Sequence, residues 1–287
     1  MSYDKSKILK GRGKSVAMGS DKKSIIIIGC GVLGSIIADG INDKLVKHYE
    51  ISAVYDRQQF QAEKLAERLG VKRALSLEEI IAYKPAYVIE AASKEVVESM
   101  ACDILKAGID MIILSVGALA DGRLMERINQ AGSESEAKLY VASGAIGGFD
   151  LMRAVRFGGL GDAEIHTTKN PHSLNGAPYL DGKELPEHQE QLVFKGSSRE
   201  AIAGFPKNVN VAVSMALATL GVDETRVKIS SCPGLETNIH DIRLNGDFGT
   251  IEIKVAVKPS EKNAKSSTLA AWSVLALLEK MSQTIML

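Results

Sequence analysis

The sequence is poor in cysteine and has no long uncharged segment. Only three cysteines, Cys30, Cys102 and Cys232, occur among 287 residues, and no two of them form a C-x-x-C pair. A small and odd number of cysteines argues against a disulfide framework and is typical of proteins of the reducing cytoplasm. The longest run without a charged residue, from Ser24 to Ala38, is shorter than the ~20 residues of a membrane-spanning helix. We therefore expect a soluble, cytoplasmic protein.

The chain also lacks an excess of charge of either sign, with 35 Lys and Arg against 35 Asp and Glu. Nucleic-acid-binding proteins usually carry a basic surface, so neither nucleic acid nor a membrane is expected as a partner. The exception is local: residues 1–23 hold seven Lys or Arg and two Asp without apolar periodicity, which predicts a flexible basic arm. No group of His, Cys and acidic residues has metal-ligand spacing, so no metal is expected.

A dinucleotide-binding motif follows the arm. The apolar run Ser24–Ile28 predicts a strand buried on both faces, and it leads into a G-x-G-x-x-G sequence, Gly29–Gly34. Helical periodicity comes next, then a second predicted strand, Ile51–Tyr55, with Asp56 at its end, 22 positions after Gly34. A lone G-x-G-x-x-G is a weak signal. The strand before it, the helix after it and the acid at this distance together predict a Rossmann phosphate loop.

Each part of this loop has a physical task. Gly29 permits the tight turn, Gly31 lets the backbone approach a pyrophosphate, and Gly34 lets the helix pack against the strand. The first helical turn, which includes Val32 and Leu33, would offer free N–H groups to the phosphates. The alternative, a glycine-rich turn in a buried core, explains neither the context nor the spacing.

Cofactor choice depends on the end of the second strand. Asp56 can accept hydrogen bonds from the adenosine ribose hydroxyls and repels a 2′-phosphate, whereas the adjacent Arg57 can pair with one. These two residues predict NAD as the cofactor, with NADP as the alternative.

Strands and helices alternate through the rest of the first half. Strands are predicted at 86–91, 110–116 and 138–142, and helices at 94–107 and 119–131. This alternation predicts an α/β fold with a doubly wound parallel sheet over residues 24–144. Ala92 and Ser93 follow one strand and Gly117-Ala118 follows the next, so both pairs would lie at the carboxyl edge, where open sheets bind ligands.

The pattern changes after residue 142. The glycine-rich stretch Ser143–Gly148 predicts a hinge, a cofactor loop or both. A strand over 163–168, a hairpin at Asn245-Gly246 and helices over 208–220 and 267–280 predict a second α/β domain with a mixed or antiparallel sheet. Residues 170–190 are expected to form a loop. We place the second domain at 145–264, with a C-terminal helix at 265–287 that returns towards the first domain.

Seven motifs together resemble one family. In chain order they are GCGVLGS, VYDR, EAASKEVVE, LSVGALAD, YVASGAIGGFD, FPKNVNVAVSMALA and ETNIHDIRLNGDFG. They resemble the L-aspartate dehydrogenases of NAD biosynthesis, over residues 24–282. The resemblance implies a Rossmann domain joined to an α/β catalytic domain, and a homo-oligomer. It also implies reversible, NAD(P)-dependent oxidation of L-aspartate, through iminoaspartate, to oxaloacetate and ammonium.

The resemblance also implies roles for individual residues. It places the catalytic histidine at His240 and contacts with the nicotinamide at Ala145 and Asn210. The chain departs from the family where Asn170-Pro171 replaces two prolines, and in its basic arm. The first departure puts the substrate loop in question, and the second does not affect the chemistry.

The residues themselves leave His240 with two interpretations. On a strand it shares a face with Asn238 and Ile242, and the Asn245-Gly246 turn would fix its register. A histidine alone on a strand is most often structural. The dinucleotide site and the resemblance favour proton transfer instead, because an imidazole has a pKa near neutrality.

A substrate with two carboxylates requires cations. The candidates, which the sequence does not rank, are Lys169, Arg153, Arg243 and Lys265, with Asn208 and Asn238 as further substrate contacts. Of the other histidines, His48, His172 and His188 are expected to be solvated, and His166 could be core. Two alternative functions stay open: an oxidoreductase of this architecture acting on another amino acid or a cyclic imine, and a non-enzymatic dinucleotide sensor.

Overall fold

The first half of the chain forms a six-stranded parallel sheet. The structure is a computed structural model that describes residues 22–206, 208–260 and 263–285. The strands are β1 (Lys23–Ile28), β2 (Tyr49–Tyr55), β3 (Lys72–Arg73), β4 (Tyr87–Glu90), β5 (Asp110–Ile113) and β6 (Leu139–Val141). Their order, β3-β2-β1-β4-β5-β6, is that of a doubly wound Rossmann sheet, so the predicted fold class is confirmed here.

Helices cover both faces of this sheet. They are α1 (Val32–Gly40), α2 (Gln59–Leu69), α3 (Leu77–Ala82), α4 (Lys94–Lys106) and α5 (Gly122–Ser135). The isoleucines of β1 alternate between the two faces: Ile26 and Ile28 pack towards α4 and α5, and Ile25 and Ile27 pack towards α1 and α2. A strand buried on both faces has to be apolar throughout, which explains the unbroken isoleucine run.

The second half forms a five-stranded mixed sheet. Its strands are β7 (Leu160–Lys169), β8 (Gln191–Ser197), β9 (Arg226–Ser231), β10 (Asn238–Gly246) and β11 (Gly249–Val257), in the order β11-β10-β7-β9-β8. β7 and β9 run parallel, and the other neighbours are antiparallel. The helices of this half are α6 (Phe149–Val155), α7 (Pro171–Leu174), α8 (Ser198–Gly204) and α9 (Asn210–Ala218). The predicted second α/β layer with a mixed sheet is confirmed.

The chain then returns to the first sheet. A short pair, β12 (Pro259–Ser260) and β13 (Asn263–Ser267), leads into α10 (Thr268–Ser282). α10 buries Ala271, Val274 and Leu278 in the same core as α1, and the Tyr49 hydroxyl donates a 2.8 Å hydrogen bond to the Leu278 carbonyl.

Several sequence expectations are corrected. The strand expected over 110–116 ends at Ile113 and gives way to a 3-10 turn, Val116–Ala120, because the N–H groups of Ser115 and Gly117 bond to the side chains of Glu90 and Asn210 and not to a neighbouring strand. The loop expected over 170–190 contains α7, started by Pro171, and a 3-10 turn, Pro178–Leu180. β8 and β9 were not predicted. The basic arm lies outside the described residues up to residue 21. Among the described residues, no helix is long and apolar enough to cross a membrane.

Candidate active site

The glycine loop after β1 is shaped for an anion. Gly29 has φ +100°, and a Cβ there would lie 2.6 Å from the Ala91 carbonyl oxygen, while a Cβ on Gly34 would overlap the Gly29 carbonyl. A Cβ on Gly31, by contrast, would meet no atom within 4 Å. Gly31 precedes α1 without a side-chain cap, so the first N–H groups of the helix are available. An open, uncapped helix start fits a phosphate group.

Asp56 supports this loop at the end of β2. Its carboxylate accepts 2.8 Å hydrogen bonds from the Cys30 and Gln58 backbone N–H groups. Burial, with the Asp56 charge adding to it, raises the pKa of the Cys30 thiol to about 12, so this cysteine is not a nucleophile at neutral pH. A carboxylate has about four acceptor positions, so Asp56 retains capacity for the hydroxyls of a ligand. The neighbouring Arg57 is exposed.

A cleft of about 500 Å³ joins the two halves of the chain. It collects nine of the residues singled out from the sequence: Leu33, Ala92, Ser93, Ala145, Lys169, Asn208, Asn210, Asn238 and His240. Six further residues, which the sequence assigned to cofactor binding, do not line it: Gly29, Gly31, Val32, Gly34, Asp56 and Arg57. They belong to the phosphate loop and the end of β2, which lie beside it along the carboxyl edge of the first sheet.

His240 is the third residue of β10, and its buried side chain lines the cleft. It is paired with Thr167 of β7 and Val255 of β11, and only 3% of it is exposed. Asn238 and Ile242 are buried on the same face, as the alternation predicted. The Thr167 hydroxyl oxygen lies 3.0 Å from Nδ1, which fixes the ring, and Nε2 has no hydrogen-bond partner in the part of the chain that the structure describes. Burial, and then the charge of Lys169, lowers the pKa of His240 to about 3.

Lys169, the last residue of β7, is the buried cation of the cleft. Its side chain is 3% exposed and makes no hydrogen bond or ion pair with any described residue. Burial lowers the pKa of the Lys169 ammonium to about 8. A desolvated ammonium without a partner is strongly unfavourable unless an anion binds to it, so the geometry favours an anionic ligand at this point.

Three asparagines complete the wall of the cleft. The Asn208 side-chain NH₂ group donates to the Ser173 carbonyl at 2.8 Å, and no described residue donates to its side-chain oxygen. The Asn210 side-chain oxygen accepts from the Gly117 N–H at 3.0 Å and so ties α9 to the turn after β5. Asn238, which opens β10, is 4% exposed. The lining therefore combines the buried Lys169 and His240 with several neutral hydrogen-bonding groups, and it also includes Lys94 and Glu95.

Sequence reasoning missed Glu90, the last residue of β4. It is fully buried, and its carboxylate accepts hydrogen bonds from the backbones of Ala92 and Leu114 and from both the backbone and the hydroxyl of Ser115. Burial raises the pKa of Glu90, and these hydrogen bonds oppose that rise. The signal for it was a charged residue closing an otherwise apolar strand that is buried on both faces.

Other candidates lie away from the cleft. Arg153 is exposed on α6, and Arg243 is exposed on β10, 3.6 Å from Glu252. The side chain of Lys265 lies outside what the structure describes. His166 is half-buried on the opposite face of β7, 2.9 Å from the Ser230 hydroxyl. The exposed histidines are His48, His172 and His188. Within the described ranges, no three His, Cys, Asp or Glu side chains are grouped as metal ligands.

Comparison with known proteins covers both halves of the chain. Residues 150–281 match the family described as aspartate dehydrogenase, C-terminal, and residues 29–142 match the homoserine dehydrogenase NAD binding domain. The L-aspartate dehydrogenase of Methanosarcina acetivorans is 38% identical over 260 residues, covering 89% of this chain and 95% of that protein. The L-aspartate dehydrogenase of Methanococcus maripaludis strain C6 is 35% identical and covers 90% and 97%.

Solved structures agree with this result. Aspartate dehydrogenase from Thermotoga maritima has a TM-score of 0.72 and 28% identity, and the match covers 92% of this chain and 99% of that one. GenD2 from gentamicin A biosynthesis, in complex with NAD, has a TM-score of 0.58 at 13% identity, with coverage of 92% and 89%. The second likeness concerns the fold alone.

Proposed function

The chain belongs to the L-aspartate dehydrogenase family, and from this premise we propose how its cleft carries out the reaction. It oxidises L-aspartate, through iminoaspartate, to oxaloacetate and ammonium with NAD or NADP, and it also catalyses the reverse reaction. The observation that carries the proposal is the buried Lys169, whose side chain has no partner among the described residues, beside the buried His240 in a cleft next to the glycine loop. The Lys169 ammonium suits a substrate carboxylate, and the His240 imidazole can exchange a proton.

The cofactor fits the residues along the carboxyl edge of the first sheet. The loop Gly29–Gly34, including Val32 and Leu33, would hold the pyrophosphate. The space next to Gly31 at the start of α1 is open, with no atom within 4 Å of where a Cβ would lie. Asp56 would hold the adenosine ribose, with Arg57 available for a 2′-phosphate. The residues facing the nicotinamide half would be Ala92, Ser93, Ala145 and Asn210, all of which line the cleft. When bound, the cofactor accepts hydride from the substrate Cα.

Lys169 would bind one substrate carboxylate. An incoming carboxylate supplies the anion that this ammonium lacks, and a charge-assisted hydrogen bond in a desolvated site is strong. Asn208 and Asn238 would bind other polar atoms of the substrate, since both line the same cleft. Of the two described lysines that line the cleft, Lys169 is buried and Lys94 lies 3.8 Å from Glu98, so part of substrate recognition would fall to neutral donors.

His240 would handle the protons. The substrate nitrogen has to lose a proton, and the water that later attacks the imine has to be activated by removal of a proton. Both steps require a base. Thr167 holds Nδ1, so Nε2 is the nitrogen that would exchange protons. Burial, and then the Lys169 charge, holds the pKa of His240 low, so the imidazole is neutral and therefore a base. A bound carboxylate would offset that charge and raise the pKa of His240.

The two alternative functions fit less well. A dinucleotide sensor has no need of a buried ammonium next to a buried imidazole. An oxidoreductase for another amino acid or a cyclic imine would still have one carboxylate for Lys169, so the choice of substrate depends on the second carboxylate. Activity on L-aspartate compared with L-asparagine and L-alanine separates these substrate classes, because each of the last two lacks the side-chain carboxylate.

Two exchanges at Lys169 test the carboxylate role. Lys169→Met keeps the length of the side chain and removes its charge, so the KM for L-aspartate should rise by about two orders of magnitude, as expected for a charged partner. Lys169→Arg keeps the charge and should recover part of that loss. The KM for NAD should stay near the parental value in both variants. If Lys169→Met leaves the KM for L-aspartate unchanged, the carboxylate role is wrong.

The organisation of the protein is also part of the proposal. We assign 24–144 to cofactor binding, 145–264 to catalysis and oligomerisation, and 265–287 to a segment that closes on the first domain, with 1–23 as an arm. A homo-oligomer is supported by family membership and by β11, which is an edge strand on which another copy could pair. A cytoplasmic location is supported by three free cysteines. Sedimentation velocity and thiol titration of fresh extracts test the two points.

A further inference from the structure

Glu90 lies at the centre of the first sheet. It ends β4, between Ile28 of β1 and Ile113 of β5. One carboxylate oxygen accepts from the Ala92 N–H and the Ser115 hydroxyl, both at 2.7 Å. The other accepts from the N–H groups of Ser115 at 2.9 Å and Leu114 at 3.2 Å. All four hydrogen bonds come from the two segments that leave the sheet after β4 and β5.

These two segments form one side of the cleft. Residues 91–95 and 114–116 line it, whereas Glu90 does not reach it. The first segment also adjoins the phosphate loop, since a Cβ on Gly29 would lie 2.9 Å from the Ala92 nitrogen. The second continues to Gly117, which donates to Asn210 of α9. A displacement of either segment would therefore move the surface between the phosphate loop and His240.

We propose that Glu90 is a positioning residue for the nicotinamide half of the cofactor. By accepting four hydrogen bonds it fixes the spacing of the segments after β4 and β5, and these segments carry the surface on which that half would lie. The proposal rests on the proposed function for the identity of the cofactor. Glu90 is not a catalytic residue, because the buried carboxylate has no contact with the cleft.

The replacement Glu90→Gln isolates this role. A carboxylate accepts at both oxygens, whereas an amide accepts at one and donates at the other. With its NH₂ group towards Ser115, whose hydroxyl can turn to accept, the glutamine would face the Ala92 N–H with another donor. The change in volume is negligible, so the defect is confined to the spacing of Ala92 and Ser115. A buried N–H group without an acceptor is unfavourable, so the segment that carries Ala92 should shift and bind the cofactor more weakly.

Two ligands measured by calorimetry separate positioning from general damage. NADH would span both halves of the site, whereas ADP-ribose, which lacks the nicotinamide ring, would be held by the phosphate loop and the region of Asp56. For Glu90→Gln we expect the Kd of NADH to rise about tenfold, the size of one lost buried hydrogen bond, and the Kd of ADP-ribose to stay parental. Glu126→Gln, an exposed exchange on α5, should change neither. Unchanged NADH binding in Glu90→Gln, or a parallel loss for both ligands, would overturn the proposal.

Ser115→Ala keeps the test decisive if Glu90→Gln does not fold. It removes the hydroxyl that Glu90 accepts at 2.7 Å and leaves the three backbone hydrogen bonds in place. A smaller loss of NADH affinity, about threefold, with unchanged ADP-ribose binding would support the proposal. NADH affinity equal to that of the parent would overturn it. Neither measurement depends on turnover of L-aspartate, so a failure here is distinct from a failure of the proposed reaction.

Discussion

Replacing Lys169 with methionine should make the protein more stable while weakening its binding of L-aspartate. Burial lowers the pKa of this ammonium from its ordinary value of 10.5 to about 8 in the folded chain. The folded state therefore resists protonation that the unfolded chain accepts freely. Between these two pKa values the unfolded chain binds more protons, so the free energy of unfolding rises with pH across that window. Below pH 8 the cost of the buried charge is complete.

The magnitude follows from the width of that window. A difference of about 2.5 pKa units is worth about 3 kcal/mol at pH 7, at 1.36 kcal/mol for each unit. Lys169→Met retains an unbranched apolar stem of similar length, so it removes the charge without opening a cavity. We expect the free energy of unfolding to rise by about 3 kcal/mol at pH 7 and by only about 1 kcal/mol at pH 10, where most of the penalty has gone.

Urea unfolding at pH 7 and pH 10, without cofactor or substrate, measures this difference. Lys195→Met is the matched control, because Lys195 is exposed on β8 and its exchange should change the free energy of unfolding by less than about 0.5 kcal/mol at either pH. A gain for Lys169→Met that does not depend on pH would show that its cause is packing. A loss of stability at pH 7 would show that Lys169 has a protein partner, and its role as a site for a substrate anion would be wrong.

Three further exchanges test the site, each with its own readout. His240→Ala should bind NADH like the parent in calorimetry and lose about two to four orders of magnitude in turnover, the usual worth of a general acid–base group; near-parental turnover would make His240 structural. Gly31→Val should fold with a parental thermal transition, because nothing lies within 4 Å of a Cβ there, yet it should fail to bind NADH; parental binding would remove the phosphates from this loop. Asp56→Ala should weaken NAD binding by about 1–3 kcal/mol and shift preference towards NADP, for which Arg57 is available; an unchanged ratio of the two specificity constants would contradict the role of Asp56.

The sequence was most informative where local patterns decide the structure. The isoleucine run of β1, the glycine loop and the hairpin around His240 follow from periodicity and turn chemistry, and the burial of Asn238, His240 and Ile242 on one face agrees with the alternation of a strand. The family resemblance, and not the periodicity, indicated the substrate and selected His240 from the five histidines.

What the sequence did not reveal depends on contacts between distant segments. Glu90 and Ser115 are 25 residues apart, and only the pairing of β4 with β5 makes one the partner of the other. The sequence alone did not show which of the candidate cations binds a substrate carboxylate. Buried and partly exposed positions alternate along β7, and Lys169 is at a buried position. Arg243 is at an exposed position of β10. β8 and β9 were missed because neither has the long apolar run of a buried parallel strand.

The central claim is that this cleft interconverts L-aspartate and oxaloacetate. Purified protein mixed with oxaloacetate, ammonium and NADH should oxidise NADH, seen as falling absorbance at 340 nm. The rate should require all three reactants and should fall by about two to four orders of magnitude in His240→Ala. L-aspartate is the expected product, detected by chromatography. NADH and NADPH that both stay unoxidised with oxaloacetate and ammonium, while the protein still binds NADH, would contradict it.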